Sequence, residues 1–200
     1  MPSCGRIVLA LGGSPGKVGA ILIAADAAWK AGAGWVSVAP LSDMLAPSFS
    51  REFTYEAFAL DGTIGEKAFL AFVRSRKLRS LLVGPGTMEN PLSRSLLEAL
   101  SQVQAETGLR LIFDAGALDG FLEKREGIHF APDLTLLTPH PGEWKRLAKD
   151  MPELNAVSDL SRASERLGGL SAIYKSATPI VFGPGRVRFL TLGTNRLARA

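Results

Sequence analysis

Seven short apolar runs constrain this chain more than any other feature. They occupy residues 7–11, 35–39, 80–83, 109–113, 134–137, 171–174 and 180–182, and most are closed by Gly, Pro or Asp. Continuous rather than alternating apolarity marks strands buried on both faces, the condition of a parallel sheet. Helical patterns separate them. In 18–31, Val18, Ile21, Leu22, Ala25, Ala28 and Trp29 form one stripe, and Gly32 supplies a stop. Residues 64–75, 91–106 and 142–149 read the same way, with 158–167 a weaker fifth helix. For 91–106, Asn90 is the expected cap and Pro91 the expected first helical residue. Alternation of strand and helix at this spacing predicts an α/β sandwich. No repeat, low-complexity tract or linker divides the 200 residues, which suit one domain. Residues 40–63 are the least regular and are expected to form a surface excursion.

Composition narrows the class. With 46% apolar and 21% charged residues, the chain can bury a core, which excludes disordered and collagen-like readings. One cysteine, Cys4, rules out an internal disulfide framework, and two histidines, His129 and His140, are too few for a Cys/His zinc cage. The apolar stretch 18–29 is too short to span a membrane and is broken by Asp26. The first residues lack the pattern of a signal peptide. The expectation is a soluble, cytoplasmic domain with no membrane association. The formal charge of +4 is uneven: six basic residues and no acid follow Glu165, leaving 17 basic against 19 acidic before it. That segment holds three aromatics, Tyr174, Phe182 and Phe189, but its basic residues do not spread as a face across the fold, which argues against a nucleic-acid partner.

Residues able to carry chemistry cluster just beyond the carboxyl ends of the expected strands, where open α/β sheets bind ligands. Gly12-Gly13-Ser14-Pro15-Gly16-Lys17 is a glycine-rich strand-to-helix turn that could approach an anion or simply permit a tight turn. It is no Walker loop, because Leu11 and Val18 stand where glycine and a hydroxyl residue are needed. Gly84-Pro85-Gly86-Thr87 is a second exposed turn. Asp114, closing a strand, could orient a hydroxyl, hold Mg²⁺ through water or cap the next helix. In Thr138-Pro139-His140-Pro141-Gly142-Glu143, two prolines immobilise His140, which suits contact with a ligand phosphate or sugar. Tyr174-Lys175-Ser176-Ala177-Thr178 lies between two strands and fits either phosphate contact or an exposed hairpin. No nucleophile elbow and no glycosidase carboxylate pair is present.

The order of these motifs is more specific than any one of them. Gly-Gly-Ser-x-Gly-x-x-Gly-Ala, Lys-Ala-Gly-Ala-Gly, Val-Gly-Pro-Gly, Phe-Asp-Ala-x-Ala-Leu and Leu-Thr-Pro-His-Pro-Gly-Glu follow one another along the chain. Together they resemble the ADP/ATP-dependent NAD(P)H-hydrate dehydratases, carbohydrate-kinase-like domains of the ribokinase-like superfamily. The resemblance runs from about Arg6 to Ala200. It implies a three-layer αβα sandwich with a mainly parallel central sheet. It also implies that ADP or ATP phosphorylates the S epimer of NAD(P)H hydrate, after which loss of phosphate restores NAD(P)H. By the motif match, Ala20, Gly86 and His140 would contact NAD(P)H hydrate. Lys175, Ser176, Thr178 and Asn195 would lie against the adenine nucleotide, although Ser176 replaces a family glycine. Mg²⁺ is implied, with Asp114 a water-mediated or orienting contact and no direct protein ligand. A homo-oligomer is also implied.

The family's Gly-Ser/Thr-Gly-Asp segment, carrying the anion-binding helix end and the general-base Asp, is expected beyond Ala200. The reading is therefore of a single domain, 1–200, lacking its C-terminal part, with apolar surface left uncovered on the last strands. The missing part would belong to a longer chain or to a companion chain, or the protein is a true truncation. Two rival functions remain at this level: a ribokinase-like kinase of a sugar or vitamin precursor, and a nucleotide-binding module without catalysis.

Overall fold

A computed structural model describes residues 7–41, 53–56, 58–60, 63–88, 91–147 and 157–191. Asn90, Asn195 and the rest of 192–200 lie outside them.

The chain enters through β1 (Ile7–Gly12), α1 (Val18–Lys30) and β2 (Trp35–Pro40). Three two-residue strands follow: β3 (Thr54–Tyr55), β4 (Ala59–Leu60) and β5 (Thr63–Ile64). Next come α2 (Glu66–Ser75), β6 (Ser80–Val83), α3 (Arg94–Thr107), β7 (Arg110–Phe113) and α4 (Gly116–Lys124). A 3₁₀ turn at Pro132–Leu134 leads into β8 (Thr135–Leu137), α5 (Pro141–Leu147) and α6 (Val157–Arg166). The described chain closes with β9 (Ser171–Tyr174), β10 (Ile180–Gly183) and β11 (Arg186–Phe189).

The main sheet has the order β11-β10-β9-β8-β7-β6-β1-β2-β3, parallel from β3 through to β9 and antiparallel in its last two pairings. This is the parallel α/β sheet expected from the apolar runs. The excursion at 40–63 does more than cross the surface. Thr54 and Tyr55 pair with Ser37 and Val38, and Phe58 is buried in edge-on contact with Phe69 and Phe72. That segment lacks a long apolar run because it supplies an edge strand and one aromatic anchor rather than a central strand.

Residue alternation along each strand divides the core between two faces. Leu9, Leu11, Leu81, Val83, Leu111, Phe113, Leu137, Ala172 and Phe182 share one cluster with residues of α2, α3, α4, α5 and α6. Phe113 stacks on Phe121 with ring centres 4.3 Å apart. On the other face, Ala10, Val36 and Val38 pack under Val18, Ile21, Leu22 and Ala25 of α1. Beyond α1, Ile112, Leu136, Ile173 and Val181 on that face are only half-buried among the described residues. Three-layer packing is thus complete over β1 and β2, and the later strands carry partly uncovered apolar side chains.

Local sequence explains where the helices begin. α3 starts at Arg94, not at Pro91. The Ser93 hydroxyl accepts from the Leu96 backbone N–H at 3.0 Å, and it also bonds Glu66 at the start of α2. A hydroxyl that reaches the third helical N–H makes Ser93 the cap, so α3 opens three residues after the expected Pro91. Residues 63–64 pair as strand β5, so α2 opens at Glu66 rather than at 64. Among the described residues, no helix is long and apolar enough to cross a membrane.

Candidate functional site

Chain order makes β1 the switch point of the sheet: β2 and β3 extend to one side of it, β6 to β9 to the other. Ligands of open α/β sheets bind at the carboxyl ends of strands beside such a point. The carboxyl ends of β1, β6, β7, β8 and β9 stand side by side there, and the motif residues follow them.

Two glycine turns interlock over β1 and β6. Gly13 N–H donates to the Pro85 carbonyl at 2.8 Å, and Ser14 N–H to the Gly86 carbonyl at 3.0 Å. Met88 N–H donates to the Ser14 hydroxyl at 3.1 Å. The N–H groups of Gly13 and Ser14 are therefore already used, so the turn is not the open anion cradle its glycines suggest. Its function is to set Gly86 against α1. At Gly86, where φ is +70°, a Cβ would overlap the Lys17 carbonyl oxygen and come within 3.0 Å of the Ala20 Cβ. Ala20 and Gly86, far apart in sequence, are thus brought into one place.

The next cluster centres on Asp114, at the end of β7. Its Oδ1 accepts from the Thr138 hydroxyl at 2.7 Å and from the Lys175 ammonium at 2.6 Å. The capping alternative for Asp114 is not what forms, since α4 begins after Ala115 with no side-chain cap. Ala115 instead takes φ +47° and ψ −130°, a conformation that favours glycine. At Gly84, with φ +117°, any Cβ would collide with the Asp114 carbonyl. A strained alanine and an obligatory glycine therefore hold the Asp114 backbone where its carboxylate meets β8 and β9.

The Lys175 N–H donates to the Pro139 carbonyl at 2.8 Å, which ties the end of β9 to the Thr-Pro-His-Pro segment. Ser176 and Thr178 form the exposed turn after β9, where the Ser176 hydroxyl donates to the Thr178 carbonyl at 2.5 Å. His140 stands at the start of α5, half-exposed. Its Nδ1 accepts from the Gly142 N–H at 3.0 Å, and its own N–H donates to Glu143 at 2.8 Å. Thr138 and Glu143 were legible only as parts of a motif. The signal for Glu143 is its place three residues after His140, the spacing of a capping box.

Among the described residues, no three His, Cys, Asp or Glu side chains stand together to hold an ion. Asp114 Oδ1 is already compensated by Lys175. Direct protein coordination of Mg²⁺ does not fit these residues.

Clefts at the opposite, amino edge are separate from this site. One of about 460 Å³ is lined by Arg125, His129, Phe130 and Gly168, among others, and one of about 320 Å³ by Asp133, Ser171, Gly183, Arg186 and Arg188. Burial lowers the pKa of Arg125, whose guanidinium lies over the Phe121 ring and donates to the Arg166 carbonyl. The β10–β11 register pairs Arg186 with Gly183, at the amino edge. Among the described C-terminal basic residues, Arg186 therefore lies at the amino edge, whereas Lys175 stands at the carboxyl edge.

A sequence model of the family described as NAD(P)H-hydrate dehydratase matches residues 8–200. The chain is 35% identical over 146 residues to a bifunctional NAD(P)H-hydrate repair enzyme of Moorella thermoacetica, covering 70% of this chain and 27% of that protein. It is 34% identical to an ADP-dependent (S)-NAD(P)H-hydrate dehydratase of Streptococcus pneumoniae, covering 72% and 47%. A Lactiplantibacillus plantarum protein of the same description is 32% identical, covering 97% and 66%. The chain thus spans from about a quarter to two thirds of the length of these relatives. Among solved structures, a ribokinase-like protein of Enterococcus faecalis superposes with a TM-score of 0.71 at 24% identity, covering 98% of this chain and 68% of that one. An ADP/ATP-dependent NAD(P)H-hydrate dehydratase of Bacillus subtilis, co-crystallised with ATP and Mg²⁺, superposes with a TM-score of 0.59 at 22% identity, covering 99% and 70%. Those two likenesses establish the ribokinase-like fold, and with the match over 8–200 the chain belongs to the NAD(P)H-hydrate dehydratase family.

Proposed function

We propose that this domain repairs a damaged nicotinamide cofactor: it dehydrates the S epimer of NAD(P)H hydrate to NAD(P)H and consumes ADP or ATP. A phosphoryl group passes to the substrate hydroxyl, and its departure as phosphate with loss of the neighbouring proton restores the ring double bond. The observation that carries this reading is the alignment of the family motifs on five adjacent strand ends, β1, β6, β7, β8 and β9.

In this reading Ala20, Gly86 and His140 take the hydrated dinucleotide. The contact between Ala20 and the Gly86 turn supports a shared binding surface. Lys175, Ser176 and Thr178 take the adenine nucleotide. The Lys175 ammonium is anchored by Asp114, but the side chain is 41% exposed and the ammonium has three donors, so it retains donors for a phosphate. Asn195 joins them by resemblance alone. Mg²⁺ would arrive with the nucleotide and meet Asp114 through water, supplying charge neutralisation at the transferring phosphoryl group. Residues 1–200 act as one domain, and the general base is assigned to the family segment expected beyond Ala200. A cytoplasmic homo-oligomer completes the proposal, with a companion chain or further segment supplying that base.

The test is an assay of NADH hydrate with ADP or ATP and Mg²⁺, on this chain and on one extended through the following reading frame. Recovery of dihydronicotinamide absorbance with release of free phosphate is expected from the extended protein. A stable phosphoester product would replace the dehydratase reading with a kinase. Equal turnover by the 200-residue chain would overturn the assignment of the base.

A further inference from the structure

His140 is engaged by its own helix in a way that fixes what its ring can offer a ligand. Nδ1 accepts from the Gly142 backbone N–H at 3.0 Å and faces the Glu143 N–H at 3.4 Å. A backbone N–H can only donate, so Nδ1 must present its lone pair, and the proton of the neutral ring sits on Nε2. Glu143 closes the arrangement from the other side. Its Oε2 accepts from the His140 backbone N–H at 2.8 Å, and its Oε1 lies 3.2 Å from Nε2 without forming a hydrogen bond to it, so the Nε2 proton is left for a ligand. The result is a capping box in which an imidazole replaces the usual hydroxyl. The Glu143 side chain is 8% exposed and the His140 side chain 49%, so a buried carboxylate backs a ring that is open to solvent.

We infer that His140 meets its ligand as an Nε2–H hydrogen-bond donor, not as a proton acceptor, and that Glu143 is the positioning residue that holds this donor. The partner is an acceptor oxygen of the dinucleotide, and this part of the inference rests on the dinucleotide assignment of His140 proposed above. Nδ1 is committed to α5, so the ring's accepting nitrogen is not available to a substrate proton. The two tasks of the residue are also separable. Asparagine at position 140 can still cap α5 through its side-chain oxygen, but it places no donor where Nε2 lies.

The experiment uses the ¹⁵N-labelled 200-residue chain. The only other histidine is His129, so comparison with His140→Asn assigns the ring signals of His140. At mildly alkaline pH the ring should be the Nε2–H form, with Nδ1 unprotonated. An Nδ1–H form, or averaging between the two, would overturn the inference. In titrations, His140→Asn should keep its thermal midpoint within about 2 °C of wild type, as a retained cap requires. It should lose about tenfold in affinity for NADPH hydrate, the scale of one hydrogen bond, with ADP binding unchanged. Glu143→Ala should lose a similar factor, and Glu143→Gln, which keeps the bond to the His140 N–H, should recover most of it. Unchanged hydrate affinity in His140→Asn, or equal loss for hydrate and ADP, would overturn the donor role. Wild-type protein that binds ADP but not NADPH hydrate would overturn the dinucleotide reading itself. An Nδ1–H ring together with normal hydrate binding would sink this inference alone.

Discussion

At the residue scale, the site depends on a backbone held against its preference. Ala115 sits at φ +47° and ψ −130°, where an L side chain costs on the order of 1–3 kcal/mol. Its neighbour Asp114 would otherwise not reach both Thr138 and Lys175. Ala115→Gly should therefore stabilise the protein by up to about 1 kcal/mol, because relief of strain exceeds the added chain entropy of glycine. A urea midpoint below wild type would show that Ala115 is unstrained. Asp114→Asn should retain an acceptor for Thr138 but leave Lys175 without its counter-charge. The pair is partly exposed, so the expected loss is about 1 kcal/mol or less. That loss should shrink in molar salt, and a salt-independent difference would point to packing instead of charge. Sequence alone marked Asp114, His140 and Lys175 as polar residues at strand ends. It did not pair them, because 61 positions separate Asp114 from Lys175 and only strand register closes that gap.

At the scale of elements, one buried side chain ties a helix to the start of β8 and to the segments that lead into β7 and β8. Gln104 on α3 is 2% exposed. Its Nε2 donates to the Leu109 and Leu134 carbonyls and the Thr135 hydroxyl, and its Oε1 accepts from the Ala131 N–H at 2.7 Å. In sequence it is an ordinary polar residue of an amphipathic helix, with nothing to distinguish it from Gln102. Gln104→Leu would strand those backbone groups without water, and a destabilisation of about 2–4 kcal/mol is expected. Chemical denaturation checks this, and a loss below 1 kcal/mol would mean that water replaces the amide. Helix identity was legible from periodicity, whereas helix starts were not. The onset of α3 at Arg94 depends on Ser93 finding both Leu96 and Glu66, and Glu66 belongs to another helix.

At the scale of the whole molecule, the large core lies between the sheet and five of its six described helices, with Phe113, Phe121 and Phe130 at its centre. Phe121→Ala should cost about 3–5 kcal/mol and loosen the seat of Arg125 above its ring. Calorimetry measures the first effect, and a shift below 1 kcal/mol would show that the cluster collapses into the space. The amino acids by themselves determined the class of fold, since unbroken apolar runs can be satisfied only by strands covered on both faces. They also determined the order of motifs at the carboxyl edge, because each follows its own strand. Only the tertiary structure decided which motif residues share a surface, which N–H groups remain for a ligand, and how the imidazole of His140 is oriented. It also put Arg186 at the edge away from the motifs. The physical reason is common to all four. Periodicity and turn chemistry act over a few residues, whereas register, crossover and hydrogen-bond competition join positions that the linear chain holds far apart.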